Sequence, residues 1–309
     1  MKRFALLFNQ LPHRFKNIPW VIKNMDCVRF KEDVENLNEY EAIWVYAMSG
    51  ADTTSVKYCH IPEYLRKRGV KDSKILYQED YFAYPWDWTM ERYWQRKAGK
   101  ESSTPDPYTH FSPVQVLPFV DAIVQAGGRE WGHLKKPVYY VQWPIIATEK
   151  FNVPFNKKRK AAIGVHRFYG NDNENIAFSQ ELDIKFDCFG ANIERRKRAE
   201  YLEHISKYKI ALDYNEYYLG WSRFVAEATY AGVPVVGPKY RKGVVIANPD
   251  LAGPSSKTIP VVERLLDDEE YYIECVEMAR KNIEEHLSPE ACGKRIENII
   301  EDILSYSKD

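Results

Sequence analysis

Short apolar runs punctuate this chain, and longer amphipathic stretches separate them. In the first half the runs fall at residues 4–8, 42–46, 74–77, 122–124 and 138–141. In the second half they fall at 161–165, 184–189, 210–214 and 233–236. Each run is short and several hold β-branched residues, the pattern of strands buried on both faces of a parallel sheet. Helical periodicity lies between them, clearest over 194–208 and 222–231. Strand–helix alternation run through twice predicts two doubly wound α/β domains. The polar segment 151–160, with Pro154, is the expected linker. The tail reads as helical at 261–266, 269–286 and 289–306. Ser288 and Pro289 suit an N-cap and a first-turn proline. Ile296, Ile299, Ile300, Ile303 and Leu304 share one face of that last helix, which must therefore pack on something.

Composition narrows the function classes. The 44 basic and 44 acidic residues cancel, which argues against a protein that coats polyanions. Cys27, Cys59, Cys188, Cys275 and Cys292 lie far apart, without metal-ligand spacing, and read as reduced structural thiols. The apolar run before Asn9 is too short for the core of a signal peptide, and no stretch is long enough for a membrane span. The expectation is a cytoplasmic protein.

The segment from Leu219 to Pro238, LGWSRFVAEATYAGVPVVGP, carries the most specific chemistry. Gly220 permits a close backbone approach to a ligand, and Ser222 is a candidate N-cap. A helix follows, with Phe224, Val225, Ala228 and Ala231 inward, stopped by Gly232 and Pro234. Strand, loop, helix and strand together put that loop at the carboxyl edge of a parallel sheet, where open α/β folds bind ligands. Unpaired N–H groups at a helix start suit a diphosphate without a metal.

The run Glu227-Ala228-Thr229-Tyr230-Ala231-Gly232-Val233-Pro234-Val235-Val236 resembles the second half of the signature of the group 1 glycosyltransferases. That family has two facing Rossmann-like doubly wound domains, the GT-B architecture, and retains anomeric configuration. The resemblance implies an acceptor domain at 1–151, a nucleotide-sugar domain at 158–288, and a terminal helix at 289–309 packing back on the first domain. It gives Glu227 the donor's ribose hydroxyls, and backbone amides near Gly220, Trp221 and Ser222 the donor phosphates. Arg167 would be a cation on the diphosphate. The family's first glutamate falls at Leu219, a departure, and Glu216 is the nearby substitute for contact with the sugar. No metal and no resident cofactor is implied; the nucleotide-diphosphate sugar is a co-substrate.

For the acceptor side, Gln78-Glu79-Asp80 follows the strand 74–77 at its carboxyl end. Asp80, with Glu79 as alternate, is the candidate to deprotonate the acceptor hydroxyl. His60, His110 and His133 are weaker choices. Tyr84, Trp86 and Trp88, with Arg92 and Arg96, form an aromatic and basic stretch suited to stacking on sugars or on unpaired bases. The expected activity is transfer of a hexose from a nucleotide sugar to a hydroxyl on a glycan or lipid-linked saccharide. The alternatives are a viral-type DNA glycosyltransferase acting on hydroxymethylated pyrimidines, and a non-catalytic nucleotide-sugar-binding protein. The absence of a P-loop, of a GxGxxG after the first strand, and of an Asp-x-Asp after a central strand argues against kinases, dehydrogenases and metal-dependent transferases.

Overall fold

A computed structural model describes residues 3–8, 15, 17–29, 35–47, 61–79, 116–125, 135–141, 144, 150–165, 173–189, 198–214 and 223–306. The chain divides into two compact units, Met1–Pro144 with Pro289–Asp309, and Ile145–Ser288.

The first unit is built on six parallel strands: β1 (Phe4–Phe8), β2 (Met25–Arg29), β3 (Ala42–Ala47), β4 (Lys74–Glu79), β5 (Ala122–Gln125) and β6 (Val138–Tyr140). They lie in the order β2-β1-β3-β4-β5-β6. The inner strands are apolar on both faces because both faces are covered. Ala5, Leu7, Ile43, Val45, Ile75 and Tyr77 pack on one side with Ile61 and Leu65 of helix α2 (Ile61–Lys67). Leu6, Trp44, Tyr46 and Leu76 pack on the other. There they meet Val21 of α1 (Pro19–Asn24) and the isoleucine face of the last helix. Each fully buried Leu, Ile or Val among them contributes about 1.5–3 kcal/mol. At the amino edge Arg66 donates to Asp121 at 2.8 Å and to the carbonyls of Val70, Ser73 and Phe119, a clamp that holds β4 and β5 in place.

The second unit has four parallel strands: β7 (Arg159–Val165), β8 (Lys185–Phe189), β9 (Tyr208–Leu212) and β10 (Val235–Val236), in the order β10-β9-β7-β8. Helices α3 (Asn173–Glu181), α4 (Arg198–Ser206) and α5 (Arg223–Tyr230) connect them. Then follow α6 (Lys242–Ala247), α7 (Ser255–Asp267), α8 (Glu269–Leu287) and α9 (Pro289–Ser305). Helices α4 and α5 cover one face, through Leu202, Ile205, Phe224, Val225 and Ala228. Phe178 of α3 and Val262, Leu265 and Leu266 of α7 cover the other. The last helix, α9, belongs to the first unit and packs on α1, where Gly293 comes so close that an added Cβ would meet Trp20 Cβ at 2.8 Å.

Several elements depart from the sequence pattern. The helix expected to run to Tyr208 ends at Ser206, and Tyr208 opens β9 instead. There it pairs with Arg159, and its hydroxyl donates to Asp187 at 2.8 Å. Only Val235 and Val236 of the run 233–236 are strand, because Gly232 and Val233 finish the helix cap. Helix α7 starts at Ser255 and carries Pro260 inside it, where the pattern placed a start at 261. The segment expected as a linker is held in the second unit. The Phe151 amide donates to Tyr230 O, its carbonyl accepts from Arg280 at 2.7 Å, and β7 has begun by Arg159. Strand β2, with sequence MDCVR, has no apolar run to announce it.

Candidate functional site

In the second unit the chain leaves β7 for β8 on one side and later returns to β9 on the other. The β7/β9 gap is thus a topological switch point, and ligands bind at the carboxyl ends of the strands beside such a point. The carboxyl end of β9 is Asp213 and Tyr214, and the next described element is α5.

Helix α5 is buried from Phe224 to Tyr230. One charged residue lies in that buried run. Glu227 is 7% exposed, and its Oε1 receives the Nε of Arg223 at 2.6 Å. A carboxylate this enclosed requires a partner. Arg223, 60% exposed, is the first residue of the helix, where the macrodipole disfavours a cation. Pairing with Glu227 offsets that cost. The pair is nearly neutral, so the helix start keeps its positive potential at that edge, a setting for an anion. The far end of α5 closes in a Schellman cap. Gly232, at φ +71°, donates to Thr229 O, and Val233 donates to Ala228 O. A Cβ on Gly232 would also strike Phe151 O at 2.8 Å.

The end of β9 is fixed by buried polar groups. Asp213, 4% exposed, lies with Oδ2 3.5 Å from Nε of the wholly buried Arg241, which precedes α6. Tyr214 directs its hydroxyl to Gly253 O at 3.1 Å and to Thr258 Oγ1 at 3.0 Å. Burial, above all, pushes that phenol up to about 12. Tyr214 is therefore a neutral hydrogen-bonding group at working pH.

A second perturbed group belongs to the opposite edge. The Lys158 ammonium donates to Ser206 O at 2.7 Å and to Gly232 O at 3.2 Å, and stands 5.6 Å from the Tyr272 ring centre. Burial first, then the Arg280 guanidinium, bring its pKa down to about 7. Such a value invites a catalytic reading. Lys158 precedes β7, however, and so sits at the amino edge, where it caps the carboxyl ends of α4 and α5. Its role is structural.

Of the residues expected from the sequence to form the site, Glu227 is fully described, in the second unit. Glu79 is the last residue of β4 in the first unit, opposite Ala47 in register. It follows Gln78, which is wholly buried and accepts from the Trp44 indole at 3.0 Å. Asp80, Tyr84, Trp86, Trp88, Arg92, Arg96, Arg167, Glu216, Gly220, Trp221 and Ser222 lie outside the described residues, as does Leu219. The sequence reading missed Arg223, Asp213 and Arg241. An arginine in the first turn of a helix runs against the macrodipole, and that anomaly was available in the sequence at Arg223. Asp213 and Arg241 are paired only by folding. Among the described residues no three His, Cys, Asp or Glu side chains gather as a metal ion would require, and no helix is long and apolar enough to cross a membrane.

Two parallel, doubly wound α/β units, with the last helix returned to the first, define the fold class. No protein-family model matches the chain, and no curated protein sequence matches it. Solved structures do. The OtsA apo structure matches with a TM-score of 0.58 at 11% identity, over 99% of this chain and 100% of that one. Anabaena HepE in complex with UDP and glucose matches with a TM-score of 0.50 at 8% identity, over 97% of this chain and 100% of that one. TarM matches with a TM-score of 0.51 at 12% identity over 87% of this chain, which spans 55% of TarM's length. At such identities the likeness is one of fold, and the fold is that of the GT-B glycosyltransferases.

Proposed function

We propose that this chain is a glycosyltransferase that binds a nucleotide-diphosphate sugar at the carboxyl edge of the second unit's sheet. It passes the sugar to a hydroxyl of a saccharide or lipid-linked glycan. The observation that carries this reading is Glu227, a nearly buried carboxylate within the first turns of α5, in the Glu-Ala-x-x-Ala-Gly-x-Pro run and next to the switch point. Glu227 accepts from the donor's ribose hydroxyls. The start of α5, with Gly220, Trp221 and Ser222 leading into it, holds the diphosphate. Arg223 and Arg167 are the cations that offset charge building on the departing diphosphate, the group whose stabilisation lowers the barrier most. Asp80, with Glu79 as alternate, takes the acceptor proton, and Tyr84, Trp86, Trp88, Arg92 and Arg96 hold the acceptor. Glu216 contacts the sugar in place of the glutamate that Leu219 displaces. No divalent metal takes part. Retention at the anomeric carbon comes from the group 1 resemblance.

The test begins with a thermal-shift panel of nucleoside diphosphates on the whole chain. A true ligand at a hundredfold excess over its Kd stabilises the fold by about 2.7 kcal/mol. HepE holds UDP and glucose, which makes UDP-glucose the first donor to try. Donor turnover is then read as nucleotide release, with and without a chelator. The expected result is release that the chelator leaves intact and that Glu227→Ala removes. No stabilisation by any nucleoside diphosphate and no release would sink the reading, and loss of release in chelator would sink its metal independence.

A further inference from the structure

The first turn of α3 carries a buried asparagine that the helix itself does not need. Asn175 is 2% exposed, and its Oδ1 accepts the backbone N–H of Tyr214 at 3.0 Å. That amide lies just past the last ladder bond of β9, in which Asp213 donates to Val236 O at 2.9 Å. Asn175 thus meets a buried N–H that would otherwise carry the cost of an unsatisfied donor. One turn along α3, Phe178 stacks on the Tyr214 ring with centroids 5.0 Å apart. The helix after β7 is thus fastened, by one hydrogen bond and one ring contact, to the end of β9. These are the two strands that flank the switch point.

We propose that Asn175 is a positioning residue for the donor phosphates. It fixes the end of β9, where the chain departs for α5, against the first turn of α3. This rests on the donor-site reading above. Helices α3 and α5 both start at the carboxyl edge, and the tie sets the spacing of their N-terminal amides before any ligand arrives. A site loosened by about 1 Å loses a large part of its effect.

The test compares UDP with UMP, or the same pair of whichever base the panel selects, by calorimetry on the whole chain. The readout is the preference for diphosphate over monophosphate, which a general loss of stability does not move. Asn175→Ala is expected to cut that preference about tenfold, and Phe178→Leu to cut it by a smaller factor. Ser179→Ala removes a hydroxyl that donates to Asn175's own carbonyl at 2.9 Å, and it is expected to leave the preference intact. Should Asn175→Ala fail to fold, Phe178→Leu carries the test. An unchanged preference in the tie variants overturns the proposal, as does an equal loss in Ser179→Ala. A wild-type chain that binds no nucleoside diphosphate overturns the donor reading, and this inference with it.

Discussion

Removing the charge of Lys158 should change how the second unit responds to pH. The folded chain brings this lysine down from 10.5 to about 7, because its ammonium is enclosed and faces Arg280. The sign follows from proton counts. Below about pH 7 both the folded and the unfolded chain hold the proton, and the folded chain bears the full burial penalty. Between about 7 and 10.5 the unfolded chain keeps the proton and the folded chain releases it, so stability rises with pH. The whole penalty is on the order of 4–5 kcal/mol, at about 1.4 kcal/mol per pKa unit. From pH 7.5 to pH 9 the expected gain is about 2 kcal/mol. Lys158→Met has no such proton. Urea unfolding of wild type and variant at several pH values, taken as a difference, cancels the other titrating groups. Wild type should gain about 2 kcal/mol on the variant across that window. A difference that stays flat or falls with pH would show that folding leaves the ammonium unperturbed and refute the burial account.

Three further outcomes follow from single contacts. Glu227→Gln keeps the shape and removes the charge. Because Arg223 is 60% exposed, stability should change by less than about 1 kcal/mol, while affinity for the nucleoside diphosphate should fall about ten- to a hundredfold by calorimetry. Gly232→Ala must hold a side chain at φ +71° with its Cβ 2.8 Å from Phe151 O, and should cost at least about 2 kcal/mol in urea unfolding. In α9, Gly293→Ala would ordinarily gain about 1 kcal/mol of helix propensity, yet its Cβ would meet Trp20 Cβ at 2.8 Å. A net loss of about 1–2 kcal/mol is expected, and a raised melting temperature would show that α1 and α9 are not so close.

Much of this fold was legible because its strands are buried twice over. Phe4–Phe8 and Ala42–Ala47 read as apolar runs since helices cover both faces, whereas the edge strand Met25–Arg29 needs no such run and left no signal. The close of α5 was legible at Gly232 and Pro234, since only a left-handed residue completes that cap. The boundary between α4 and β9 was not, because Tyr208 owes its place to partners at Arg159 and Asp187 that lie far off in sequence. The site divides the same way. Glu227 was named as a candidate through its local run, while Asp213 with Arg241, and Asn175 with Tyr214, are pairs that only the topology brings together.

The buried charges of the second unit sort by edge, and that sorting bears on what the site can hold. Helices end at the amino edge, where their carbonyls leave negative potential, and lysines answer it. Lys158 caps α4 and α5, and Lys209 donates to Leu266 O at the end of α7. At the carboxyl edge the helices begin, and their amides leave positive potential. A lone carboxylate there would cancel it and repel a phosphate. Instead each buried carboxylate is matched with an arginine, Glu227 with Arg223 and Asp213 with Arg241. The pairs add little net charge, so the field of the helix starts survives for a ligand. Neutralising one arginine should therefore harm anion binding twice, by removing a cation and by releasing a carboxylate against the incoming phosphate. Arg223→Met is accordingly expected to weaken diphosphate binding more than Arg223→Met combined with Glu227→Gln weakens it beyond Glu227→Gln alone. A calorimetric cycle over the four proteins measures that coupling, and strictly additive effects would show that the pair does not act as a unit.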